Sequence, residues 1–245
     1  MVFTPRARSR DDSSAGDGTN TLRAGPCGGD GLMVTDVVFD FDGTLVDSRS
    51  VAIRLYNAIA ERKGYGLLTN SGLEELRNLS VLDRSKRLGV SPWRLPGLVT
   101  QVLQDYRGAL HEIDFHEGIL ELLRELRGRG LRLSILSTND EGNIREVLRR
   151  HALEGWVEGI HCSSRVFGKA RLLRALMKRG GLSREQLVYV GDECRDVEAC
   201  KQAGVKVIAV QWGFDSTALL QNAGPDALAE HPASIIECLE RLSAA

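Results

Sequence analysis

The chain has 245 residues, 42% hydrophobic and 27% charged, with 32 Lys and Arg against 33 Asp and Glu and a net charge of -1. That suits one large globular domain, or a core carrying an insertion, with ample volume for a buried sheet. It gives no electrostatic basis for binding nucleic acid or an anionic membrane, and no apolar run is long enough to span a bilayer. Cys27, Cys162, Cys194, Cys200 and Cys238 are odd in number, scattered and never spaced C-x-x-C. They argue against a disulfide framework and a zinc site and suit a reducing, cytoplasmic setting.

Residues 1–32 are a different material. Arg6, Arg8 and Arg10 run into Asp11-Asp12-Ser13-Ser14, glycine dominates up to Gly31, and apolar periodicity is missing. The expectation is a disordered tail. It lacks the apolar h-region of a secretory signal, and Asp11, Asp12, Asp17 and Asp30 disfavour a transit peptide. Met33, just ahead of the first strand, is read as the natural start. Native peptides mapping upstream of Met33 would overturn that hypothesis.

Val37-Val38-Phe39-Asp40-Phe41-Asp42-Gly43-Thr44-Leu45-Val46-Asp47 reads as a buried strand that stops at a charged tip. Asp40 and Asp42 are two residues apart, so in extended chain both point to the same side. Two carboxylates that close repel unless a cation lies between them, and Mg²⁺ is the natural candidate. Gly43 permits a turn and a close backbone approach to a ligand.

From Ser48 the pattern turns helical, with Val51, Leu55, Ala58 and Ile59 as an apolar stripe. Asn70 or Ser71 caps a second helix through Leu76. An apolar-basic stretch around Val81–Leu88 follows, and Ser91-Pro92 reads as an N-cap and first-turn proline opening a helix to about Leu110. Residues 48–113 thus read as an all-helical insertion in which Lys and Arg outnumber Asp and Glu. That excess suits an anionic substrate and a solvated helical face equally well.

From Glu117 strands and helices alternate. Ile119, Leu122, Leu123 and Leu126 form a helix stripe that Gly128 and Gly130 end, and Leu131–Leu136 is a strand closing on Ser137-Thr138-Asn139-Asp140. Residues 141–151 are helical and Gly159–Cys162 is a short strand. Phe167-Gly168-Lys169 opens a helix striped by Leu172, Leu173 and Leu176, and Ser183 with Gln186 has the form of a capping box. Leu187–Val190 is a strand ending in Gly191-Asp192, helix 194–203 stops at Gly204, Val205–Val210 is a strand, and Ile235–Leu242 is a closing helix. This implies an α/β fold: a Rossmann-like parallel sheet with helices on both faces and an all-helical cap inserted after the first strand. The expected division is tail 1–32, core 33–47 and 114–245, and cap 48–113. Ligands of such sheets bind outside the carboxyl ends of the strands. Asp40/Asp42, Thr138/Asn139 and Asp192/Asp196 all fall there, with Lys169 placed to reach the same crevice.

Asp40-Phe41-Asp42-Gly43-Thr44, Ser137-Thr138-Asn139, Lys169 and Gly191-Asp192-Glu193-Cys194-Arg195-Asp196 resemble, in order, the four motifs of the haloacid dehalogenase-like phosphatase superfamily. The likeness spans roughly residues 35–240. The helical insertion and Trp212-Gly213-Phe214-Asp215-Ser216 are similar to the phosphoglycolate-phosphatase-like branch. The resemblance implies a Mg²⁺-dependent phosphatase acting on a small phosphorylated metabolite, phosphoglycolate or a sugar phosphate. It makes Asp40 the nucleophile, forming an aspartyl-phosphate. Asp42 protonates the leaving oxygen and then deprotonates the water, a task that needs a raised pKa, which a neighbouring carboxylate can supply. Its backbone carbonyl, Asp40, Asp192 and Asp196 hold the metal, Asp196 directly or through water. Thr138 and the Asn139 backbone bind phosphoryl oxygens, with Ser137 a rival for the hydroxyl role. Gly43 lies against the phosphoryl group, and Lys169 neutralises it and Asp40. Glu193 departs from the small hydroxyl residue common at its position, and is expected behind the metal shell or solvated. Arg77, Lys86, Arg87 and Arg94 are candidates to meet an anionic substrate tail. A phosphomutase sharing the aspartyl-phosphate and a non-catalytic phosphoryl-binding regulator are the alternatives. A dehalogenase, needing neither Asp42 nor a metal, is disfavoured.

Overall fold

Six parallel strands form the central sheet of the structure, a computed structural model that describes residues 34–163 and 168–244. The expectations for the tail 1–32, for Met33 as the start and for Phe167 lie outside the described residues. In chain order, β1 (Asp36–Phe39) leads to the short β2 (Val46–Asp47) and then to α1 (Arg49–Lys63), α2 (Asn70–Arg77), α3 (Val81–Arg87) and α4 (Leu95–Tyr106). The chain returns through β3 (Asp114–Phe115), α5 (Ile119–Gly128), β4 (Arg132–Ser137), α6 (Glu141–Arg150), β5 (Gly159–Cys162) and α7 (Lys169–Gly180). It ends with β6 (Leu187–Gly191), α8 (Cys194–Ala203), β7 (Lys206–Val210), α9 (Thr217–Ala223), β8 (Ala227–Ala229) and α10 (Ser234–Ala244).

The sheet order is β5-β4-β1-β6-β7-β8. The chain works outward from β1 through β4 to β5, then recrosses to β6 on the other side. β1 and β6 therefore flank a topological switch point, the place where open α/β sheets bind ligands. Period-two alternation sorts the strands onto two faces. Val37, Phe39, Leu133, Ile135, Val188, Val190, Ile208 and Val210 pack in one core with α5, α6 and α10. Val38, Leu136, Tyr189, Val207 and Ala209 pack on the other face with α7, α8 and α9.

β2 and β3 pair antiparallel, Val46 opposite Phe115 and Asp47 opposite Asp114, as a two-stranded ribbon beneath the helices that lie between them in sequence. Those helices have a small core of their own, Tyr56, Ile59, Ala60, Val90 and Leu98. α1 serves both cores, which shifts its buried face from the expected stripe: Val51 and Leu55 pack on the main core, Tyr56, Ile59 and Ala60 on the small one, and Ala58 is exposed. The cap of α2 is Thr69, whose hydroxyl accepts from Gly72 N, rather than Asn70 or Ser71. Ser91-Pro92 opens a 3-10 turn, Pro92–Arg94, without a side-chain cap, and α4 ends at Tyr106 before a second 3-10 segment, Arg107–Glu112. Ser183 and Gln186 cap no helix. Gln186 Oε1 accepts the Ser183 N–H at 2.9 Å within the turn that enters β6.

Candidate active site

The crevice at the switch point is built from the residues that end β1. Asp40 continues the sheet, its N–H donating to Val190 O at 2.8 Å, while Phe41 turns into the core. A tight turn follows, with Leu45 N and Val46 N both donating to Phe41 O and Gly43 N to Val46 O. Gly43 has φ +76°, and a Cβ there would lie 2.4 Å from Asp192 Oδ2, so only glycine fits. Asp40 is 3% exposed. Its Oδ1 accepts the Phe41 N–H at 2.7 Å and its Oδ2 accepts from Lys169 Nζ.

Lys169, the first residue of α7, is buried, and its ammonium has three partners: Asp40, Asp196 Oδ1 at 2.6 Å and the Tyr189 hydroxyl at 2.9 Å. Tyr189 in turn donates to Leu136 O at 3.2 Å. Burial works against the charged form of Lys169, but Asp196 and Asp40 outweigh it and the pKa is raised. Asp192, at the tip of β6, is held by Thr44 Oγ1 donating to Oδ1 and Phe214 N to Oδ2, both at 2.7 Å. Asp196 lies in the first turn of α8, its Oδ2 accepting the Glu193 N–H at 3.3 Å. Carboxylate oxygens of Asp40, Asp192 and Asp196 lie within 4.8 Å of one another, all three residues buried. Burial, with the nearby charges of Glu193, Asp40 and Asp196, pushes Asp192 well above the carboxylate range, and burial with Asp40 raises Asp196 to about 6 against the lowering effect of Lys169. Such crowding holds protons unless a cation replaces them, and an all-oxygen donor set fits a hard divalent ion.

Asp42 lies apart from that group. Its Oδ1 accepts from the Tyr106 hydroxyl at 2.5 Å and its Oδ2 from Asn139 Nδ2 at 2.8 Å. Its pKa is raised, and the cause differs from the expected neighbouring carboxylate: burial lifts it, against the lowering effect of the hydrogen bonds from Tyr106 and Asn139. The Asn139 side chain thus faces Asp42, while its N–H donates to Ser137 Oγ at 3.0 Å. Ser137 is thus buried in a local turn, whereas Thr138 is half-buried and lines a cavity of about 470 Å³. Glu193 pairs with Arg195 rather than joining the acidic cluster; burial would raise its pKa, but Arg195 and Lys169 lower it. The Cys194 thiol is pushed up to about 12 by burial and Asp215, an inert setting.

Three arginines from successive helices close over the loop after β7. Arg49 of α1 donates to Trp212 O and Gly213 O, Arg77 of α2 to Phe214 O at 3.1 Å, and Arg84 of α3 pairs with Asp215. Asp215 Oδ2 also accepts the Cys194 N–H at 2.6 Å, so the loop that braces Asp192 and α8 is the loop the arginines grip. Arg77 is therefore not free to meet a substrate. Lys86 pairs with Asp83, Arg87 lies 3.9 Å from Glu75, and Arg94 lines a different cleft with Lys63 and Tyr65. The cationic residue that lines the cavity beside Thr138 is Arg107. Tyr106, Tyr189 and the arginine grip left no local sequence signal, because each depends on which distant segment it meets.

Fold and site together define an α/β protein with a cation-ready acidic cluster and a buried lysine at the carboxyl edge of its sheet. The profile of the haloacid dehalogenase-like hydrolase family matches residues 37–210, and the chain belongs to that family. It is 36% identical over 206 residues to a phosphoglycolate phosphatase from Synechococcus elongatus, covering 84% of this chain and 97% of that one. It is 28% identical to a 5'-nucleotidase from Pseudomonas aeruginosa, covering 85% and 97%. A haloacid dehalogenase-like hydrolase from Streptococcus pneumoniae superposes with a TM-score of 0.70 at 22% identity, over 84% of this chain and 98% of that one, a likeness of fold.

Proposed function

We propose that this hydrolase removes the phosphoryl group from a small phosphomonoester, phosphoglycolate or a sugar phosphate, in a Mg²⁺-dependent reaction with Asp40 as nucleophile. The observation that carries the reading is the Lys169 ammonium bridging Asp40 and Asp196, with Asp42 held separately by Tyr106 and Asn139. Asp40, Asp192, Asp196 and the main-chain carbonyl of Asp42 would hold Mg²⁺. When bound, the ion neutralises phosphoryl charge and aligns the phosphorus for in-line attack.

Asp40 attacks phosphorus and the ester oxygen leaves. Asp42, its pKa raised by burial, gives that oxygen its proton. The Asp42 carboxylate then takes a proton from water, which cleaves the aspartyl-phosphate and frees Asp40. Lys169 and the Thr138 hydroxyl stabilise the transferring oxygens. With Asp40 at 3% exposure and Tyr106 over Asp42, this is a closed state, and admitting substrate requires the helical insertion to swing on the β2–β3 ribbon.

The test is phosphate release from a panel of phosphomonoesters, with Mg²⁺ and with a chelator, for the wild type and Asp40→Asn. Release that needs Mg²⁺ and vanishes in Asp40→Asn is expected. Activity that survives the substitution defeats the nucleophile assignment, and interconversion of sugar phosphate isomers without phosphate release supports the mutase instead.

A further inference from the structure

Asn143 is the least expected residue of α6. Asparagine is among the weaker helix formers, yet it lies in the first turn of that helix at 1% exposure, on the wall of the cavity that Thr138 and Asn139 line. A buried amide is tolerated where its polar atoms find partners, and the partners of Asn143 lead to Asp42. Its Nδ2 donates to Asn139 Oδ1 at 3.0 Å and also faces Leu103 O of α4, at 3.5 Å. Both are carbonyl oxygens, so the atom turned to them is the nitrogen.

Asn139 is thereby held in one orientation. Its Oδ1 also accepts the Asp140 N–H, at 2.7 Å. Two donors converge on that oxygen, one of them a main-chain N–H that cannot reverse its role. With Oδ1 fixed, Nδ2 must turn the other way, and there it donates to Asp42 Oδ2 at 2.8 Å. Asp140 is itself anchored as the N-cap of α6, its Oδ1 accepting the Gly142 N–H at 2.9 Å and its carbonyl the Asn143 N–H at 3.1 Å. The start of the helix therefore sets the plane of the Asn139 amide, and that amide grips one oxygen of the carboxyl proposed as general acid.

We infer that Asn143 is a positioning residue for proton transfer: it locks the Asn139 amide so that Asp42 meets the leaving oxygen in one geometry. The inference rests on the phosphatase reading above and adds to it a residue that acts only through Asn139. Without the Asn143 donor a single bond, from Asp140, resists rotation of the amide. Rotation would present Oδ1, an acceptor, to the Asp42 carboxylate and break the contact. General-acid catalysis contributes about 10²–10⁴-fold, and a misplaced acid forfeits part of that.

The test exploits the leaving group. An alkoxide needs the proton of Asp42 to depart, whereas p-nitrophenolate departs without one. The comparison is of kcat/KM for p-nitrophenyl phosphate and for the alkyl phosphate that the wild type hydrolyses fastest, in the wild type, Asn143→Leu and Asn143→Asp. This quantity reports the steps up to departure of the leaving group, ahead of the water attack that Asp42 also serves. Leucine keeps the bulk of Asn143 without its donors; aspartate keeps its shape and presents an acceptor to Asn139 Oδ1. In both variants the alkyl ester should lose about 10-fold and the aryl ester less than about 2-fold, with Mg²⁺ binding in calorimetry unchanged. Equal losses on the two esters, or weakened Mg²⁺ binding, would mean a general structural role, and no loss on either ester would mean no role. Each overturns the inference, as does a failure of both variants to fold, and in all these cases the phosphatase reading survives. A wild type inactive on both kinds of ester would bring down that reading, and the inference with it.

Discussion

Arg84→Ala should destabilise the protein far more than an ordinary surface substitution. Arg84 is four-fifths buried, its side chain 19% exposed, and it faces Asp215 at 1% exposure. Breaking a buried ion pair from one side costs about 3–5 kcal/mol, because the remaining charge is stranded. Asp215 keeps the Cys194 N–H at 2.6 Å, which softens that loss. Arg84 Nε also donates to Leu76 O at 2.7 Å, a contact worth about 1 kcal/mol. The net expectation is about 3 kcal/mol in urea unfolding. Asp215→Asn preserves an acceptor for Cys194 and removes the charge, so the double-mutant cycle should give a coupling of about 2 kcal/mol. Additive effects, or a loss below about 0.5 kcal/mol as for a surface change, would refute the idea that this pair locks the helices to the loop that braces Asp192.

Gly213→Ala should both destabilise the protein and weaken Mg²⁺ binding in calorimetry, since a Cβ there would lie 2.0 Å from Asp192 Cβ and must displace the loop or the carboxylate. Overpacking of that kind costs about 1–3 kcal/mol, and wild-type Mg²⁺ affinity in the variant would contradict the placement. Tyr106→Phe removes a donor that favours the ionised form of Asp42, so the Asp42 pKa rises further. Because the first step needs protonated Asp42, the alkaline limb of the pH–kcat/KM profile should move to higher pH; a limb that stays put or moves down would rule out Asp42 as the acid.

The sequence made the strand ends legible because their chemistry is local. Asp40, Asp42, Asp192 and Asp196 each follow or sit beside an apolar strand run, and helix 194–203 has its stop at Gly204 written into it. What was hidden depends on tertiary neighbours. β8 is Ala227-Leu228-Ala229, residues with no strand preference, and it is extended because it pairs with β7. Ala58 fits a helical stripe but faces solvent, because α1 divides between two cores. Arg77 and Arg107 are alike in sequence as arginines of the helical insertion. Only packing separates the one gripping the loop of Asp215 from the one facing the cavity of Thr138.

The most direct measurement of the central claim is mass spectrometry of the enzyme quenched with acid during turnover of a phosphomonoester and digested to peptides. The account predicts a single phosphoryl group on the peptide carrying Asp40, lost on hydroxylamine treatment and missing from Asp40→Asn. Turnover with the phosphoryl group on any other residue would contradict it.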